Sequence, residues 1–178
     1  MDELNRLDVE SFKKSEKFPV VVVLDNVRSM NNIGSVFRTC DAFRVDAVFL
    51  CGITAKPPHK DIEKTALGAT ESVNWQYFEY TKSAGEKLIA ENYKVYAIEQ
   101  VENSLFLNRF SVEKNEKIAL IFGNEVMGVE QDIIDICHGC IEIPQFGTKH
   151  SLNISVSAGI VLWQVLCLTM NKEQCCRK

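Results

Sequence analysis

The chain has 178 residues, with 46% hydrophobic and 25% charged residues and a formal net charge of −4. That length supports one domain with a core of its own, and the acidic balance argues against indiscriminate binding to nucleic acid while leaving room for a local basic patch. The opening "MDELNRLDVE" is acidic and amphipathic, unlike a signal peptide, and the longest apolar stretch, "AGIVLWQVLCLTM", is too short to span a bilayer and contains Gln164.

Taken in chain order, apolar runs of strand length lie at Val20–Leu24, Ala47–Cys51, Val73–Phe78, Lys94–Glu99, Lys117–Gly123 and Ile141–Pro144. Several are continuously apolar and β-branched, as strands covered on both faces of a parallel sheet are. Helical periodicity fills the gaps at Ile33–Phe43, Asp61–Leu67, Lys82–Asn92, Val129–Cys137 and Leu152–Met170. The alternation predicts an α/β fold, a mostly parallel sheet with helices on both faces. The boundaries expected are a short N-terminal segment over 1–19, one domain over 20–170 and a tail over 171–178. The last helix has small residues at Ser155, Ser157, Ala158 and Gly159 and is then apolar almost all round, which predicts burial in the core or in a subunit interface.

In open α/β sheets, ligands sit at the carboxyl ends of strands, and three loops there carry chemistry. In the first, "NNIGSVFRTCDAF", Asn32 is placed to cap a helix that starts near Ile33. Arg38 lies about 140° around that helix from Ile33, off the apolar face, and leans back over Gly34, whose missing side chain leaves room for a ligand. A helix N-terminus beside an arginine suits a phosphate or ribose-phosphate. In the second, "FGNEVMGVEQD", Gly123 ends a strand where a ligand can approach the backbone, and Glu125 follows. This loop has neither the P-loop nor the dinucleotide glycine pattern. In the third, "IPQFGTKHSLNIS", Ser151 is placed to cap the last helix.

Seven cysteines include the pair Cys137 and Cys140 in "CHGC". A zinc site needs four ligands and no second pair has matching spacing, so the cysteines read as reduced thiols and no metal is expected.

Together, "NIGSVFRT", "LIFGNEVMGV" and "IPQFGTKHSLNIS", with the weaker segment "KTALGAT", resemble the three motifs of the SpoU/TrmH-type RNA ribose 2′-O-methyltransferases of the SPOUT superfamily, over about Val20 to Leu168. The resemblance implies S-adenosylmethionine as cofactor, transfer or ribosomal RNA as substrate, a homodimer, a cytoplasmic location and a C-terminal trefoil knot. It implies catalytic or site-lining roles for Arg38, Asn32, Glu125, Ser151 and Asn153. It also implies cofactor contacts, mostly through backbone, at Ile98, Glu99, Gly123, Asn124, Ile143, Pro144 and Leu152.

With about nineteen residues ahead of the first strand, RNA is expected to meet the domain itself and its dimer partner. Arg28, Arg44, Lys56, Lys60 and Lys149 are the cations expected at phosphates. Three other readings compete: an RNA-binding member without catalysis, an unrelated α/β cofactor enzyme such as a dehydrogenase, and a base methyltransferase of the same superfamily.

Overall fold

The computed structural model describes residues 7–113, 115–148 and 151–169. Seven strands form a single sheet in the order β3-β2-β1-β6-β4-β7-β5. They are β1 (Phe18–Asp25), β2 (Val45–Cys51), β3 (Asn74–Phe78), β4 (Tyr93–Ile98), β5 (Leu105–Phe106), β6 (Lys117–Phe122) and β7 (Gly139–Glu142), and every pairing is parallel. The α/β expectation holds, with parallel pairing between all neighbouring strands of the sheet.

The central strands alternate between two cores because successive side chains point to opposite faces. On one face Val20, Val22 and Leu24 of β1 and Ile118, Leu120 and Phe122 of β6 pack under α2 (Met30–Ala42), α3 (Lys60–Ala66) and α7 (Ile154–Thr169). On the other, Val21, Val23, Ala119 and Ile121 pack under α5 (Thr81–Ala90) and the single turn α6 (Gln131–Ile134). Burial on both faces explains why these strands read as unbroken apolar runs. Two short helices, α1 (Val9–Lys14) and α4 (Ala69–Ser72), complete the set.

Several boundaries depart from the sequence reading. The helix expected over Val129–Cys137 shrinks to α6 because tertiary hydrogen bonds claim both ends. Val129 N–H donates to Glu99 Oε2 at 3.0 Å, and His138 N–H donates to the Val95 carbonyl at 2.8 Å, drawing the chain into β7. β5, α1 and α4 have two, six and four residues, too few for a period to show. α7 is not buried all round. Ile154, Ala158, Val161, Leu162, Val165 and Leu166 face the core, while Val156, Ile160 and Trp163 (58% exposed) form an uncovered apolar stripe. Among the described residues no helix is long and apolar enough to cross a membrane.

Candidate active site

Three loops meet at the carboxyl ends of β1, β6 and β7. The first is anchored by Asp25 and Asn26. Asp25 is buried; its Oδ1 accepts from the Thr81 hydroxyl and from Asn26 Nδ2, and its Oδ2 has no hydrogen-bond partner. Burial pushes this carboxyl above its ordinary range, against the hydrogen bond from Thr81. Asn26 has a positive φ of 53°. Its Oδ1 accepts from Ile53 N–H at 3.1 Å and its carbonyl accepts from Asn124 Nδ2 at 2.7 Å, so the first loop is tied to the loops after β2 and β6.

The second loop closes through a backbone bridge between Asn124 and Gly128. Asn124 Oδ1 accepts from Val126 N–H at 2.9 Å and Met127 N–H at 3.1 Å. A Cβ on Gly123 would lie 2.3 Å from the Gly128 carbonyl carbon, and one on Gly128, where φ is +69°, would lie 2.3 Å from Glu99 Oε2. The close neighbour in the direction of a Cβ at 123 is therefore the loop's own backbone, while Gly123 itself lines the cleft described below.

Glu125 joins the first and second loops. Its Oε2 accepts from Arg28 N–H at 3.1 Å, and its Oε1 accepts from Ser29 N–H at 3.1 Å and Asn32 Nδ2 at 3.2 Å. The third loop joins through Asn153, whose Nδ2 donates to Asn32 Oδ1 at 3.1 Å and whose Oδ1 accepts from the Ser155 backbone N–H at 2.9 Å and the Ser155 hydroxyl at 2.6 Å. Burial works to raise the Glu125 carboxyl, but the N–H donors around it outweigh burial and hold it below its ordinary value. A carboxylate accepting several N–H bonds stays ionised.

This network overturns three local readings. Ser29, not Asn32, caps α2, accepting from Asn32 N–H at 3.3 Å, and the helix begins at Met30. Asn153, not Ser151, caps α7, as its bond from Ser155 N–H shows. The space over Gly34 is filled: a Cβ there would lie 2.2 Å from the Ile62 carbonyl and 2.2 Å from Thr65 Oγ1. Glycine at 34 serves the close packing of α2 on α3. Just ahead of α2, Glu125 accepts from the Arg28 and Ser29 N–H groups, so the entrance to the helix holds a carboxylate of the protein itself.

Beside the network lies a cleft of about 500 Å³. Its apolar wall includes Ile98, Phe122, Ile141, Ile143 and Leu152, and its acidic residues are Glu99, Glu125 and Glu142. Glu142 is held by Gln100 Nε2 and Ser104 Oγ, each at 2.6 Å. No Lys, Arg or His lines it among the described residues.

Of the residues expected at the cofactor, Ile98, Glu99, Gly123, Asn124, Ile143 and Leu152 line this cleft, and Pro144 sits between the lining residues Ile143 and Gln145. Of the expected catalytic group, Glu125, Ser151 and Asn153 line it and Asn32 is bonded to two of them. Arg38 is not part of its wall. It stands exposed on α2, six residues beyond Asn32, or about 9 Å along the helix.

The expected RNA-contacting cations within the described residues divide between the two ends of the sheet. Arg28 is exposed on the first loop, Lys56 follows β2 and Lys60 opens α3. Arg44 sits at the opposite, amino end of β2, its guanidinium 5.7 Å from the Phe18 ring centroid. Lys149 lies outside the described residues. The sequence reading did not single out Asn26 or Glu142. The positive φ that a turn asparagine tolerates was a signal for the first; nothing local signalled the second.

The thiols of Cys40, Cys51, Cys137 and Cys140 are free. Burial pushes Cys51 and Cys137 up to about 12, and raises Cys40 and Cys140. Thiols held protonated are poor nucleophiles and poor metal ligands. No group of three or more His, Cys, Asp or Glu that could hold a metal occurs among the described residues.

Residues 19–163 match the model of the SpoU rRNA methylase family. The chain is 30% identical over 159 residues to a tRNA (guanosine(18)-2′-O)-methyltransferase of Aquifex aeolicus, covering 87% of this chain and 72% of that protein. It is 31% identical over 144 residues to a 23S rRNA (guanosine-2′-O-)-methyltransferase of Neisseria meningitidis, covering 81% of this chain and 56% of that protein. Among solved structures it resembles an AdoMet-bound rRNA methyltransferase from Sinorhizobium meliloti, with a TM-score of 0.80 at 23% identity. That likeness is one of fold, over 88% of this chain and 59% of the other.

Proposed function

The chain belongs to the SpoU rRNA methylase family, and from that premise we propose that it transfers a methyl group from S-adenosylmethionine to a ribose 2′-hydroxyl of transfer or ribosomal RNA. The observation that carries the cofactor assignment is the cleft's chemistry. An apolar wall with three glutamates and no cation among its described residues fits an apolar-bodied, positively charged sulfonium compound and repels a nucleoside phosphate. Ile98, Gly123, Asn124, Ile143 and Leu152 are the residues that would hold it.

When bound, S-adenosylmethionine supplies an activated methyl group on a cationic sulfur. The chain's own work is to align the ribose 2′-oxygen and to stabilise the charge that develops on it. Asn32, Glu125 and Asn153 fix the mutual position of the three loops. Glu125 acts as a positioning residue and not as a proton acceptor, because the three N–H bonds it accepts hold its carboxyl below the ordinary value and make it a weaker base. Arg38, a guanidinium that stays protonated, grips the RNA phosphate and faces the developing 2′-oxyanion. The proton leaves to that phosphate or to water. Ser151, in the cleft wall, completes the reacting surface.

The reading extends to the whole molecule. Residues 20–170 form the catalytic unit, in the cytoplasm. The chain passes from β4 to β5, back to β6 and then between β4 and β5 as β7, an interleaving that supports the family's trefoil knot. The uncovered stripe of α7 supports a homodimer. Trp163→Glu is then expected to yield monomers at concentrations where the parent sediments as a dimer; an unchanged dimer places the interface elsewhere.

Calorimetric titration with S-adenosylmethionine, followed by nucleoside analysis of bulk RNA incubated with the protein and cofactor, tests the proposal. Cofactor binding with new 2′-O-methylnucleosides is the expected result. Binding without methylation favours an RNA-binding member, and methylated bases in place of riboses favour the base-methylating alternative. Family membership sets the dehydrogenase reading aside.

A further inference from the structure

The carboxyl ends of β6, β1, β2 and β3, which lie side by side in the sheet, carry exposed side chains on segments joined to one another by hydrogen bonds. The outer end of this band is Lys56, whose Nζ lies 4.1 Å from the centroid of the Tyr77 ring. Tyr77 donates its hydroxyl to the Gly52 carbonyl at 3.0 Å. Next along the rim is Ile53, 67% exposed and tied to Asn26 by its N–H. Asn26 is in turn bonded to Asn124, whose Oδ1 orders Val126 and Met127, 76% and 78% exposed. Arg28, exposed, is bonded through its backbone to Glu125 beside them.

Large apolar side chains held out to solvent in a contiguous patch mark a contact surface. Here they are accompanied by two cations, Lys56 and Arg28, that form no ion pair among the described residues, on a chain whose net charge is −4. An aromatic ring and exposed aliphatic side chains set beside positive charges match unstacked bases joined by phosphates. A duplex would offer this rim its phosphates and sugars but not its base faces.

We propose that this band is the track for an unpaired RNA segment flanking the target ribose, running from the cleft over Met127, Ile53 and Tyr77 towards the β3 edge of the sheet. Tyr77 and Ile53 carry base faces, and Lys56 and Arg28 carry phosphates. The proposal rests on the reading of the chain as an RNA methyltransferase and adds the strandedness and direction of its substrate.

Fluorescence anisotropy of the full chain tests it, with a labelled single-stranded oligoribonucleotide and the same strand annealed to its complement. Single-strand binding is expected to exceed duplex binding. Ile53→Asp, Tyr77→Ala and Lys56→Glu are each expected to weaken it by about fivefold or more, and Lys13→Glu on α1 is expected to leave it unchanged. Melting curves and titration with S-adenosylmethionine confirm that each variant is folded. Parental affinity in all three variants, equal affinity for duplex, or no binding of either RNA overturns the track. If the variants bind cofactor and methylate RNA as the parent does, the track alone fails. If the parent binds no S-adenosylmethionine, the underlying reading fails with it.

Discussion

Arg38→Ala is expected to lower methyl transfer by roughly 10²–10³-fold and to leave the affinity for S-adenosylmethionine unchanged. Arg38 is exposed on a helix whose buried face consists of Ile33, Gly34, Val36, Phe37 and Cys40, so truncating it removes nothing from the core. Alanine at an exposed helical position carries no propensity penalty. Arg38 also lies outside the cleft wall, so the cofactor does not need it. A loss confined to turnover, read by single-turnover kinetics beside calorimetry, places the guanidinium on the RNA side of the reaction. Arg38→Lys is expected to recover little, because an ammonium does not reproduce the planar two-pronged grip on phosphate. Full activity in Arg38→Ala would sink the mechanism.

Glu125→Ala should cost on the order of 10²-fold in kcat/KM and also lower the melting temperature. The carboxylate gathers two backbone N–H groups and the Asn32 amide; without it these donors lose their acceptor and the first loop is no longer held against the second. Charge-assisted hydrogen bonds are each worth about 1.5–3 kcal/mol, less where water competes. Glu125→Gln separates positioning from proton transfer. An amide keeps one acceptor oxygen but turns N–H towards N–H at the other. The variant should retain part of the activity, with the shape of its pH-rate profile unchanged. A base would lose its limb of that profile on substitution.

The clamp also has a pH signature. The Glu125 carboxyl is held below its ordinary value of 4.5, so the native state binds the proton less readily than the unfolded chain. The stability it contributes is present above that value and is lost as pH falls through the lower native one. Acid unfolding of Glu125→Gln should lack this component.

Strands and loops differ in how much of their role is legible in the residues alone. "VVVVL" and "IALIF" declare doubly covered strands because every side chain in them must be apolar, whichever face it meets. "GNE" and "SLN" declare a site only as parts of three spaced motifs. Whatever reaches beyond local spacing is not legible. Gly34 reads as an opening until α3, some thirty residues later, fills it. Asn32 reads as a helix cap until Glu125 and Asn153 take its side chain and Ser29 takes the cap.

The sequence by itself determined the order and type of the elements, the covered strands and the identity of the residues at the strand ends, because those follow from periodicity and side-chain chemistry along a short length of chain. Only the tertiary structure decided which of them touch. Asn32, Glu125 and Asn153 are about ninety and thirty residues apart, and a hydrogen bond depends on where the folded chain brings donor and acceptor, not on how far apart they stand in the sequence.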